Sequence, residues 1–303
     1  MATVDVTDGV EKGSSLLKVI RGSRVAQGLF LISPANIYLF LFMVLPLILV
    51  TILSFLSRGT YGDVVFQFNT TNYTRLFDPL YGKIFIYSLE VGVATTVFCI
   101  LIGYPLAYYI ARAPARQRSF LLFLILVPFW TNFIIRIYAW IMILRAGGLL
   151  DGFLQWAHIT QRSLNLLYTP TAVLIGMVYE FLPFMVLPLY TSLEKIENSV
   201  LEAAADLGAP PWRAFLRVTL PLSIPGMIAG TILVFIPAMG MFVIPDLMGG
   251  AKTILIGNVI RNQFLTARDW PFGAASSMIL MALTMVFTLY YTRKAGFSEE
   301  LLV

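Results

Sequence analysis

Acidic side chains are the first place to look for chemistry in a chain this apolar, because a carboxylate inside an apolar run is costly and usually functional. Glu90 and Glu180 are the two that lie within such runs. Glu90 falls near one end of its run, where its side chain can reach water, whereas Glu180 falls near the middle, where it cannot. Pro183 has no N–H to offer the carbonyl of Tyr179, so that oxygen is free one residue from Glu180. A carboxylate, an unpaired carbonyl and the rings of Tyr179 and Phe184 suit an organic cation. At 3.6 residues per turn Gly176, Glu180, Phe184 and Leu187 share one helix face. The competing reading is a protonated or arginine-paired Glu180 that only joins helices.

Asn132, Arg136 and Trp140 recur every four residues and form a polar stripe on a second helix. Arg136 is awkward for a cation path and becomes structural if it reaches the membrane interface or pairs with Glu180. Trp130 points away from this stripe unless Pro128 rotates the helix. The expected substrate-path set is therefore Glu180, Tyr179, Phe184, Asn132, Trp140 and Trp130. Covalent chemistry has little to work with. Cys99 is the lone cysteine and sits in an apolar run, His158 is the lone histidine, and no nucleophile–base cluster is apparent, so no catalytic and no metal-binding residue is expected.

These residues need elements to hold them, and composition says which. The chain has 303 residues, of which 58% are hydrophobic and 12% charged, where a soluble domain carries about a quarter charged. A spanning helix needs about 20 apolar residues. Six runs qualify, at about 31–55, 84–110, 119–144, 171–190, 224–245 and 274–291, and none alternates with the period of two that a membrane strand requires. The fold class expected is an all-α integral membrane protein with six transmembrane helices. The first run is too long, and starts too late, to be a cleaved signal. Lys and Arg set orientation: twelve flank one side and eight the other, and the tight basic loop 113–118 with Arg112 lies on the richer side. Both termini are accordingly expected in the cytoplasm. The expected division is a cytoplasmic segment at 1–28, with a short interfacial helix around Leu16–Ile20, a membrane domain at 29–293 and a cytoplasmic tail at 294–303. The net charge of +5 reads as orientation and anionic-lipid contact, with the bilayer as partner and no nucleic acid.

The connection 191–223 is the long one on the basic side. Asn198 or Ser199 is a plausible N-cap, Val200–Leu207 is helical by propensity, and Gly208 supplies a left-handed stop. Pro210 and Pro211 open a second short helix, which Pro221 is expected to end. Three alanines, Ala203 to Ala205, allow close backbone approach, and the pairs Glu202/Asp206 and Arg213/Arg217 each mark one face. Gly226 and Gly230 form a small-xxx-small pair in the fifth run, suited to a partner helix or to a neighbour within the chain.

Glu202-Ala203-Ala204, then Gly208, then Val218, Leu220 and Pro221 match at fixed spacing the EAA motif of the permease subunits of type I ATP-binding-cassette importers, with Val where the motif has Ile. Pro128-Phe129-Trp130-Thr131-Asn132, the string Leu182–Tyr190, Asp246–Gly250 and Arg268–Pro271 resemble the polyamine (spermidine/putrescine) branch, more specifically its B-type subunit. The resemblance covers roughly 111–275. It implies a MetI-like permease fold in a bacterial inner membrane and a coupling role for Glu202, Ala203, Ala204, Asp206, Gly208, Arg213, Leu220 and Pro221. It also implies a C-type sister permease, a dimer of ATPase subunits that use ATP and magnesium while this chain binds no cofactor, and an extracytoplasmic substrate-binding protein. Docking of that protein would fall to Asp246, Asp269 and Trp270. The phosphate-binding pattern of an ATPase is absent from this chain, since Gly249–Thr253 lacks the required spacing. Three rivals stay open: the same permease class carrying an opine, amino-acid derivative or anion, an ion-coupled secondary transporter, and a membrane-embedded enzyme.

Overall fold

The structure, a computed structural model, describes residues 24–160, 163–250 and 252–294. The expected interfacial helix near Leu16–Ile20 and nearly all of the tail lie outside them. Among the described residues, six helical segments are long and apolar enough to cross a bilayer.

The first crossing is built from Arg24–Leu39, a π turn at Phe40–Val44 and Leu45–Ser54. Pro46 cannot donate to the preceding turn, and the wider π turn just before it absorbs the lost bond. The second crossing, Pro79–Arg112, starts where the Asp78 side chain accepts from Leu80 N at 2.8 Å, and it continues through Pro105. Its 34 residues rise about 51 Å, more than a hydrocarbon core of about 30 Å needs, so it extends beyond the bilayer.

The third crossing is broken. Ala115–Leu126 runs into a 3₁₀ turn at Val127–Trp130, Thr131 and Asn132 are extended, and a new helix occupies Phe133–Leu144. A single uninterrupted helix over 119–144 is therefore not what forms. Composition also admits Phe133–Trp156 as one crossing. The backbone forbids it, since Arg145 is extended and Gly147 has φ +68°, and Leu149–Trp156 is a separate short helix. Twelve residues alone rise about 18 Å, so the third crossing needs both pieces, Ala115–Leu126 and Phe133–Leu144.

The fourth crossing, Pro170–Glu194, begins with the Thr169 side chain accepting from Ala172 N. It is the hub, with Met177, Met185, Val186 and Leu189 fully buried against the second and fifth crossings. The fifth, Leu220–Gly240, stops earlier than hydropathy suggested: Met241 is extended, and Val243–Met248 is a separate helix. Apolar burial drives little helix association within lipid, so small residues that let backbones approach matter more. A Cβ on Gly226 would stand 2.5 Å from the carbonyl oxygen of Pro188, and one on Gly230 would stand 2.7 Å from the Met185 sulfur. This glycine pair joins the fifth crossing to the fourth within the chain. The sixth, Trp270–Lys294, packs on the first.

The remaining described elements cap the end opposite the 191–223 connection: a two-stranded hairpin (Ser57–Arg58 with Val64–Val65) and short helices at Thr71–Arg75, Leu149–Trp156, Val243–Met248 and Ile256–Leu265. Asp151 organises part of this cap, accepting from Gly147 N at 2.8 Å, Leu164 N at 3.0 Å, Gln155 and Ser163. Led by the Ser163 hydroxyl and the Leu164 and Gly147 amides, these donors hold its carboxyl down to about 2.

Candidate functional site

Arg136 and Glu180 meet in the middle of the helical bundle. The N-cap of Asn132, whose side chain accepts from Ile134 N at 2.9 Å, starts the helix that carries Arg136. Arg136 Nη2 donates to Glu180 Oε1 at 3.0 Å, with the two side chains 9% and 12% exposed. The guanidinium carbon lies 4.4 Å from the Phe129 ring centre, and Phe129 in turn stands edge-on to Phe184 at 5.8 Å. A carboxylate, a guanidinium and two rings thus form one group, in which Arg136 Nε and Nη1 are buried without a hydrogen-bond partner. Of the two sequence readings of Glu180, the arginine-paired one describes its geometry, and an arriving cation must compete with Arg136 for the carboxylate.

The expected path residues divide between two places. Phe184 belongs to this group. Tyr179 and Trp140 lie together, ring centres 5.3 Å apart, on the wall of a cavity of about 420 Å³ between the second, third and fourth crossings. Asn132 spends its side-chain oxygen as a helix cap and does not continue a polar stripe with Arg136 and Trp140. Trp130 packs edge-on to Phe123 at 5.5 Å and is 76% exposed, on a different face from the pair. Gly176 is buried against Ile244 and Met248, so the face expected to line a path is closed at that level.

At the end of the bundle that carries the 191–223 connection, a knob projects. Its first helix is Asn198–Asp206, and the cap is Glu197 in place of Asn198 or Ser199. Gly208 has φ +77°, Gly208 N bonds to Ala205 O at 2.8 Å and Ala209 N to Ala204 O at 3.0 Å, which closes the helix in a left-handed turn. Glu202, Ala203 and Asp206 are exposed, and Ala204 is half-buried. The second helix, Pro211–Ala214, carries Arg213 stacked on Trp212. Pro221 does not end it. A π turn at Phe215–Thr219 accommodates the proline as it does before Pro46, Pro221 falls in the first turn of Leu220–Gly240, and the knob continues into the fifth crossing. Arg112 Nη1 donates to Asn198 Oδ1 at 2.8 Å and Arg118 pairs with Glu194 at 2.6 Å, tying the basic 113–118 loop to the base of the knob.

At the far end, Asp269 is 2% exposed and receives Arg75 Nη1 at 2.8 Å, while Arg75 also lies over the Phe272 ring. Asp246 accepts from Asn258 and Arg261. Both carboxylates are engaged inside the chain and are not free surface groups. Trp270, 48% exposed, is the outward-facing member of that trio.

Comparison with known proteins decides what such a bundle is. A family described as the binding-protein-dependent transport system inner membrane component matches residues 100–295. The spermidine/putrescine transport system permease protein PotB of Escherichia coli K12 is 48% identical over 256 residues, covering 84% of this chain and 93% of that one. The chain belongs to this family of inner-membrane transport components. Two solved structures share its fold. A bacterial alginate ABC transporter with an alginate-bound periplasmic protein has a TM-score of 0.70 at 16% identity, covering 92% of this chain and 96% of its own. The MetNI methionine ABC transporter has a TM-score of 0.52 at 18% identity, covering 71% and 94%. The fold is MetI-like, and the protein is a multi-pass bacterial inner-membrane permease subunit. Family membership leaves no support for the stand-alone secondary transporter or the membrane enzyme.

Three residues of this inner-membrane component escaped the sequence reading of the sites. Phe129 sits in the Pro128–Asn132 string, and its place over Arg136 depends on the helix break. Leu207, 89% exposed, and Trp212, 60% exposed, give the knob an apolar tip. Large apolar residues directly beside the turn residues Gly208 and Pro211 are the available signal.

Proposed function

We propose that this permease forms one half of the translocation path of an ATP-driven importer whose cargo is a polyamine of the spermidine/putrescine class. The single observation that carries the cargo is the 48% identity to the E. coli spermidine/putrescine permease across nearly its whole length. The other half of the path belongs to a sister permease, and an extracytoplasmic substrate-binding protein delivers the cargo to the far end, where Trp270 is exposed. The knob and both termini face the cytoplasm, with 29–293 as the membrane domain between the two cytoplasmic ends. A dimer of ATPase subunits, which bind the ATP and magnesium, grips Glu202, Ala203, Ala204, Asp206, Gly208 and Arg213, and Leu220 and Pro221 root that grip in the fifth crossing. The exposed Leu207 and Trp212 support this, since an exposed apolar tip suits a groove in a partner protein. Glu180, Phe184, Tyr179 and Trp140 contribute to the cation path. An anionic cargo would need Arg136, whose charge is already balanced by Glu180 and whose face is covered by Phe129.

The test is uptake of labelled spermidine by membrane vesicles containing the complete importer, together with spermidine binding by its external receptor. Receptor binding and ATP-dependent uptake are expected. Accumulation of solute by this chain reconstituted alone, or a receptor that ignores polyamines, overturns the reading.

A further inference from the structure

The cavity beside Tyr179 and Trp140 is not isolated. A second cavity of about 240 Å³ is lined by Tyr87, Glu90, Val91, Ala94 and Pro170, and it shares Thr171 and Leu174 with the first. The two form one groove between the second and fourth crossings. Along the second crossing the groove runs from Glu90 to Ile102, twelve residues or about 18 Å. Glu90 lies 22 residues before Arg112, about 33 Å along the helix, so it sits at the outer edge of the hydrocarbon core when Arg112 sits at the inner one. Among the described residues Glu90 has neither a hydrogen-bond nor an ion-pair partner. The carboxylates of Glu180, Glu194, Asp246, Asp151 and Asp269 are each engaged, whereas Glu90 opens onto a cavity without a partner. Beyond Glu90 the walls are apolar apart from the Thr171 hydroxyl and the rings of Phe98, Trp140 and Tyr179.

We propose that this groove is the outer half of the translocation path on this subunit, a track for a slender organic polycation that Glu90 admits and the aromatic faces pass inward toward the Arg136–Glu180 pair. The inference rests on the importer reading above and adds to it a route and a selecting residue. A free carboxylate at the mouth attracts cations and repels anions. Aromatic faces then hold an ammonium group without a second fixed charge to trap it. The groove is narrow and long, and it suits a chain of methylenes carrying amines better than a compact ion. The sister permease closes its open side.

Thiol labelling in membrane vesicles containing the complete importer tests this, with Leu174→Cys as the reporter because Leu174 lines both cavities. The native Cys99 is fully buried and contributes no background. A cationic methanethiosulfonate applied from outside is expected to label Leu174→Cys at least about fivefold faster than an anionic one of similar size. Glu90→Gln is expected to erase that ratio, and spermidine to slow the cationic reaction. Equal rates for the two reagents, a ratio that survives Glu90→Gln, or labelling only by a lipid-soluble maleimide overturns the proposal; the last result would make this a lipid-facing surface. Spermidine uptake by the unmodified importer is measured in parallel. Its absence counts against the polyamine reading, while the charge ratio at Leu174→Cys still judges the groove.

Discussion

Arg136 and Glu180, 44 positions apart in sequence, are bonded at 3.0 Å inside the helical bundle, and each is the other's ion-pair partner. Breaking such a pair from one side leaves a charge without its counter-ion where water is scarce, at a cost of about 3 to 5 kcal/mol. Glu180→Gln and Arg136→Gln are therefore each expected to lower the thermal stability of the purified importer and to reduce uptake. The double variant should regain most of the stability but not the uptake. A double variant no more stable than either single one, measured by thermal unfolding in detergent, would show that the pair is not coupled.

Gly208 separates two ways a knob can fail. Nothing lies within 4 Å of a Cβ built there, so a side chain meets no clash inside this chain, and the constraint is the backbone at φ +77°. A left-handed residue other than glycine costs about 1 to 2 kcal/mol, less for asparagine. Gly208→Asn should keep more spermidine uptake than Gly208→Val. Gly208→Glu should lose at least tenfold, with the ATPase no longer responding to loaded receptor. Equal uptake in all three variants would remove the knob from the coupling role.

The glycines of the fifth crossing make an internal seam. Gly226→Val would put methyl groups against the Pro188 carbonyl and the Ser192 side chain, and overpacking of this kind costs about 1 to 3 kcal/mol. The expected outcome is lower yield and lower melting temperature with the sister permease still bound, read by co-purification. Loss of the sister at unchanged stability would place this seam between subunits instead.

Asp151 gives a pH signature outside the membrane. Its carboxyl is held at about 2, below the ordinary carboxylate value, so its hold on Gly147, Gln155, Ser163 and Leu164 is fully present above that ordinary value and fades only as pH falls through about 2. Protease resistance of this segment should be unchanged between pH 7 and pH 5. Asp151→Ala should lose resistance at both values. Softening of the native loop at pH 5 would contradict the four-donor arrangement.

Much of this architecture could be read from residue order because bilayers impose run length so strictly: Pro79–Arg112 and Pro170–Glu194 each contain their expected apolar run. The knob was legible for a different reason, since Gly208 and Pro211 leave the backbone few alternatives. What escaped depends on distant partners or on how a helix tolerates proline. Hydropathy is continuous through Thr131 and Asn132, so the break in the third crossing is silent in it. Asp269 looks like a surface acid until Arg75, 194 positions away, closes over it. Pro221 looks like a stop unless a π turn precedes it, and nothing in residue type alone announces one.

That π turn has a mechanical corollary. From Pro211 to Gly240 the backbone is helical through 30 residues, a rod of about 45 Å with one end in the knob and the other at the opposite cap. No slack segment lies between them to dissipate a push. A tilt imposed at Trp212 would be carried to the level of Gly240, with the two glycines that seat this rod on the fourth crossing as its bearing.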